Sequence, residues 1–198
     1  MIKQAIRDFI VKRTFAAKLR NKGMNTFSNF EILKSIRSSA ELKRTEEKRP
    51  HEVMYFHKVD DPYSHLAIQY IDKLQESFDI SFQAILVGEE NADAVHEPSL
   101  YSTYCLDDAR RIAPFFGVEF SAESYPSGEL VIKSNKILTA VDALNFAEVA
   151  KKVSSALWSG KESILDDLSR EYSSTDEEVS NKLESGNLIR NEKDYYFG

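Results

Sequence analysis

One cysteine in 198 residues rules out an internal disulfide and a Cys-x-x-Cys redox pair. That residue, Cys105, sits in Tyr104-Cys105-Leu106, the apolar company in which a lone thiol serves as a small core side chain. No run approaches the roughly 20 apolar residues that a helix needs to cross a bilayer. The apolar residues of the first stretch are interrupted by Arg7 and Asp8, so it lacks the continuous apolar segment of a secretion signal. Together these absences give the expectation of a cytoplasmic protein. There is no internal repeat and no low-complexity tract. The hydrophobic fraction of 42% and the charged fraction of 29% are those of a globular chain, which argues against wholesale disorder.

Charge is unevenly spread. Residues 1–49 hold 13 Lys/Arg against 5 Asp/Glu, a net +8, while the remaining 149 hold 13 against 27, a net −14. A basic arm ahead of an acidic body fits docking of the arm on its own domain or on a second copy, hence a homodimer, in preference to a membrane surface. Nucleic acid is not an expected partner, because aromatic stacking would need a basic surface around it and the body is acidic.

Apolar spacing from Ile2 to Leu19 predicts an amphipathic helix over 2–21 ended by Gly23. A second short helix follows at Phe27–Ile36. The charged stretch Lys43–Pro50 reads as a linker and places a domain boundary at residue 50. From 52 to 59 the chain reads as a strand. Val53, Tyr55, His57 and Val59 lie on one side and Met54 and Phe56 on the other, the mark of a central strand. Asp61 is a natural N-cap and Pro62 suits a first helical turn. Ala67, Ile71, Leu74 and Phe78 then predict a buried helical stripe. Ile80, Phe82, Ala84 and Leu86 alternate as a second strand, completing a βαβ unit with parallel strands. Beyond Gly88 helices are expected at 100–115 (ended by Pro114 and Gly117), 146–158 (ended by Gly160) and 164–172, while Leu130–Val141 reads either as a strand, from Leu-Val-Ile, or as a helix, from Leu130, Ile137 and Val141, with the helix preferred. A last one, capped by Thr175-Asp-Glu-Glu178, is expected to end at Gly186. Tyr195-Tyr196-Phe197 reads as the start of a strand or as interface material.

Several constellations near the βαβ unit carry chemistry on paper. Asp60 and Asp61 could form a general acid/base pair, but neighbours on a turn point apart, and capping the helix is a sufficient role for Asp61. His57, Asp60, Asp61 and His65 contain metal-ligating atoms without a recognised ligand spacing, so no metal is expected. His51 and His96 read as surface or loop residues. Arg110-Arg111 with Asp107-Asp108 reads as a solvated helix face with local ion pairs.

The strand, the turn Asp61-Pro62-Tyr63-Ser64 opening a helix with Leu66-Ala67, the second strand, and the helical stretch ending near Ala156-Leu157-Trp158-Ser159-Gly160 resemble the DsbA-like thioredoxin-fold family. The nearest branch is that of 2-hydroxychromene-2-carboxylate isomerase and the kappa-class glutathione transferases. The likeness covers roughly residues 52–190, and residues 54–71 are its specific part. It implies an α/β fold: a thioredoxin-like βαβ core over 51–198, with a large helical insertion at about 90–187 and an N-terminal helical extension over 1–50. It further implies a glutathione-dependent isomerase or transferase acting on small aromatic or electrophilic compounds. Asp61 and Ser64 would then be the catalytic positions, and Pro62 and Tyr63 the glutathione-binding ones.

Two departures qualify the implied activity. The family turn reads Ser-Pro-Tyr/Phe-Ser, or Cys-Pro-x-Cys in the oxidoreductases, so Asp61 stands where a hydroxyl or thiol is expected. A carboxylate only accepts hydrogen bonds and disfavours a neighbouring thiolate. The family also closes its sheet with a C-terminal β-hairpin and a cis-proline facing the turn. The five prolines here are Pro50, Pro62, Pro98, Pro114 and Pro126, none of them after residue 126, so the expectation is either a chain that ends before that module or the N-terminal part of a protein that continues or is completed by another chain. The second expectation is therefore a catalytically silent structural or protein-interaction domain on the same scaffold.

Overall fold

Ten regular elements run through the parts of the chain that a computed structural model describes, residues 14–89 and 97–197. Backbone contacts divide the chain into two units, residues 1–51 and 52–198.

The first unit contains α1 (Thr14–Phe27) and α2 (Phe30–Glu46). Residues 2–13 of the expected first helix lie outside the described residues. The described part does not stop at Gly23 but runs through it to Phe27. The break comes at Asn29, whose Oδ1 accepts from the N–H groups of Glu31 (3.0 Å) and Ile32 (3.3 Å) and so caps α2. The helix α2 is longer than expected, and Lys43–Glu46 is its last turn rather than a linker. Ion pairs spaced along the helix support that turn, with Arg44 2.6 Å from Glu41 and Lys43 3.9 Å from Glu47. Only residues 47–50 remain as connection. There Lys48 adopts a left-handed φ of 51°, and Pro50 precedes the strand.

The second unit is mixed α/β and mostly helical, with a small parallel sheet of β1 (His51–His57) and β2 (Ile80–Leu86), bridged by α3 (Pro62–Ser77). Val87 N–H donates to the His57 carbonyl (2.9 Å), extending the pairing beyond the strand ends. The expectation of a central strand is corrected: among the described residues β1 pairs with β2 alone. Apolar residues on both sides of a strand report that both faces are covered, not that both edges are paired.

The stripe on α3 also differs from the expected one. Ala67 is exposed and Phe78 is 61% exposed, whereas Ser64, His65, Leu66, Ile68 and Ile71 are buried. Two polar residues sit on the buried face, so a search for apolar letters finds the wrong register.

Helices α4 (Pro98–Phe116), α5 (Gly128–Ala140), α6 (Phe146–Trp158), α7 (Glu162–Glu171) and α8 (Asp176–Phe197) complete the unit. Buried residues recur all along α6, among them Phe146, Val149, Ala150, Val153, Ala156 and Leu157. They form the main core with Ile68 and Ile71 of α3, Ile137 and Leu138 of α5, Leu165 of α7 and Leu86 of β2. A smaller cluster of Leu66, Ala109 and Ala113 joins α3 to α4. Cys105 is buried.

Helix ends follow local chemistry. Pro114 does not end α4; it lies inside the last turn. Gly117, at φ 63°, closes the helix, with Val118 N–H reaching Ala113 O and Gly117 N–H reaching Pro114 O (3.2 Å each). Gly160 at φ 68° closes α6 in the same way. The capping box at the start of α8 is present: Thr175 N–H donates to Glu178 Oε2 (2.7 Å) and Glu178 N–H to Thr175 Oγ1 (3.3 Å).

Gly186 does not stop α8, and the backbone remains helical through Tyr195 and Tyr196 to Phe197, where a strand was expected. A Cβ on Gly186 would lie 2.0 Å from the Leu86 carbonyl oxygen. The residue is glycine because α8 crosses β2 at close approach, not because the helix needs a left-handed residue there.

Candidate functional site

The sequence places its chemistry where β1 hands over to α3. Asp61 has extended backbone (φ −96°, ψ 121°), as an N-cap requires, and Pro62 fits the first helical position because its missing N–H would have no partner there. The Asp61 Oδ2 atom accepts from Ser64 N–H at 2.7 Å and from Ser64 Oγ at 2.8 Å. The Ser64 hydroxyl in turn accepts from Lys58 N–H at 3.3 Å. The proton and one lone pair of Ser64 are thus both engaged, and the residue is only 6% exposed.

The remaining expected site residues are engaged as well. Pro62 is buried. Tyr63 donates its phenolic proton to Asp108 Oδ2 at 2.8 Å. Burial, with Asp108 and Cys105 beside it, holds that proton well above the usual tyrosine range. Asp108 is therefore not part of a purely solvated face; it ties α4 to the turn. Asp107 pairs with Arg110 at 2.8 Å, as the local spacing suggests. Asp60 turns away from Asp61 to Lys58, 3.0 Å away, and Lys58 also lies 3.4 Å from Glu89. Burial pulls the Lys58 ammonium down, but Asp60 and Glu89 outweigh it and leave the ammonium above its ordinary value. The structure brings Asp61 and Ser64 together and keeps Asp60 and Asp61 apart.

Sequence reasoning missed a buried polar network beneath the turn. Tyr55 OH donates to the Ser64 carbonyl at 2.8 Å and lies 2.7 Å from His57 Nδ1. The phenol has one proton, already given to Ser64, so His57 carries its proton on Nδ1. The Nε2 atom of His57 is then a bare acceptor, and it is buried without a partner. Burial, reinforced by nearby His65, holds His57 down at about 3. His65 sits on Ser154 Oγ through Nδ1 (2.8 Å) and receives Gln69 Nε2 on Nε2 (3.2 Å). The ring of His65 stacks on Trp158 at 5.9 Å, and burial holds it down at about 4. Trp158 Nε1 donates to the Val59 carbonyl at 3.2 Å, fixing the strand end above it. The only sequence signal for this network was Tyr55 and His57 two apart on one side of a strand.

These geometries define what the turn can do. The Ser64 hydroxyl is beneath the surface and bonded to a carboxylate, so an electrophile has no approach to it unless the turn opens. Among the described residues no group of three His, Cys, Asp or Glu converges on a common point. Two open grooves, of about 640 and 320 Å³, lie among α5, α7 and α8, and no residue of the turn lines either of them. No known family, curated protein or solved structure matches this chain.

Proposed function

We propose that this chain is a catalytically silent relative of the DsbA-like thioredoxin-fold proteins, a protein-interaction domain that keeps the βαβ core and not its chemistry. One observation carries this reading. Asp61 holds the Ser64 hydroxyl and amide together, so the two positions expected to act on a glutathione sulfur are bonded to each other. Freeing them means breaking a helix cap. An anionic acceptor at this position would in addition oppose formation of a glutathione thiolate. The exposed apolar side chains Leu100, Tyr104 and Phe115 lie along one face of α4, the last of them 88% exposed, and give an interaction domain surface to use.

Calorimetry with glutathione tests the reading. The expected result is no heat of binding at millimolar ligand. Micromolar binding that is abolished by Asp61→Arg would overturn it and restore a glutathione-dependent isomerase or transferase acting at Asp61, Pro62, Tyr63 and Ser64.

A further inference from the structure

The outward face of α4 is complementary to its own reverse. At 3.6 residues per turn, Leu100, Tyr104, Asp107, Arg111 and Phe115 fall within an arc of about 80°. The buried residues of the helix, Cys105, Leu106, Ala109 and Ala113, occupy the other side. Leu100, Tyr104 and Phe115 are all exposed, a row of large side chains that the fold leaves in water. Arg110 holds Asp107 at 2.8 Å, whereas Arg111 is exposed and has no ion-pair partner among the described residues. Steps of four, three, four and four residues put these five side chains on one seam, the pattern by which two helices pack side by side. The centre of the seam is also the centre of α4, which runs from Pro98 to Phe116. Turned end over end about a point between Asp107 and Asp108, the helix brings Leu100 opposite Phe115 and Tyr104 opposite Arg111.

We infer that this face is the interface of a homodimer in which α4 packs antiparallel on α4 of a second copy. The inference rests on the reading of this chain as an interaction domain, and it names the partner. Across the two-fold axis each Phe115 packs on the partner's Leu100. Each Arg111 lies over the ring of the partner's Tyr104 in a cation–π contact. Asp107 comes next to the axis, between its own Arg110 and the partner's Arg111, so the two carboxylates are balanced where the copies meet. A two-fold axis applies the same patch to itself, and a surface that matches its own reverse is what such an interface requires. A nucleic acid or an anionic bilayer would attract Arg111 but be repelled by Asp107, and it would find no further cation on the seam. The helix has 19 residues and is about 28 Å long, which makes the interface a small one and the dimer micromolar.

Sedimentation velocity of the full-length protein, from low to high micromolar concentration, tests the inference. The parent chain should pass from monomer to dimer as the concentration rises. Arg111→Glu should weaken the dimer by about tenfold or more, because it removes the cation over Tyr104 and sets a carboxylate beside Asp107. Adding Tyr104→Arg should restore the dimer, since the two new charges meet only between antiparallel copies. The register has its own readout. A thiol introduced by Asp107→Cys, beside the axis, should join its copy through a short thiol-reactive cross-linker. One introduced by Ser99→Cys, about 25 Å from its copy, should not. None of the substituted side chains is buried, so circular dichroism should stay unchanged throughout. A parent chain that stays monomeric, a dimer indifferent to Arg111→Glu, no recovery in the double variant, or cross-linking through Ser99→Cys in preference to Asp107→Cys would overturn the inference. A monomer that gives no heat with glutathione removes the dimer alone. Micromolar glutathione binding removes the silent-domain reading, whatever the oligomeric state.

Discussion

Asp61 caps a helix and fixes a buried hydroxyl with the same oxygen atom, so its removal has two consequences. Asp61→Ala leaves one amide N–H without its cap and leaves the Ser64 proton without an acceptor. It should lower stability by about 1–2 kcal/mol, read as a drop in the urea midpoint. Asp61→Asn keeps an acceptor oxygen and should lose less than half of that. Equal losses in the two variants would mean that the charge, not the geometry of the cap, matters. The cap itself was legible in the sequence, since Asp followed by Pro at the start of an apolar-periodic stretch has few other uses. That Ser64 would be buried and bonded back to Asp61 was not legible. It depends on the Lys58 amide and the Tyr55 phenol, both supplied by the preceding strand and the turn after it.

Two glycines show how an element's end can be misread. Gly117 and Gly186 carry the same letter in similar sequence settings, after apolar helical spacing. Gly117 has a positive φ and ends α4; Gly186 is helical and lies against the Leu86 carbonyl. In an open helix Gly→Ala would be stabilising by about 1 kcal/mol. Gly186→Ala should instead cost about 1–3 kcal/mol, because β2 and α8 have to move apart. Thermal unfolding decides the sign, and a raised Tm would show that the close approach is easily relaxed. Helix α3 gives a similar lesson in register. Its buried face includes Ser64 and His65, which hydrophobic spacing does not count, so the expected stripe was rotated toward Ala67 and Phe78.

At the scale of the molecule, the two buried histidines couple the fold to pH. Burial holds His57 down at about 3 and His65 at about 4, so both are neutral in the folded chain at ordinary pH. The unfolded chain takes up these protons once the pH drops below about 6.5, and the folded one does not. Stability is therefore complete above that pH and is lost as the pH falls toward the folded values, by up to about 1.4 kcal/mol per pH unit for each histidine. The urea midpoint should fall between about pH 7 and about pH 5, and His65→Gln should flatten that dependence. An unchanged slope in the variant would remove His65 from the account. What the sequence by itself determined is the local order: a strand, a capped turn, a helix opening at Pro62, a second strand, and a run of helices whose caps are written in neighbouring residues. Caps, turns and periodicity act over a few positions, so they can be read a few positions at a time. What only the tertiary structure decided is which polar groups the core takes in, where α8 crosses β2, and that the Asp61–Ser64 pair is bonded to itself. Those outcomes depend on contacts between residues far apart in the chain, such as His65 with Ser154 and Gly186 with Leu86, and no local pattern carries them.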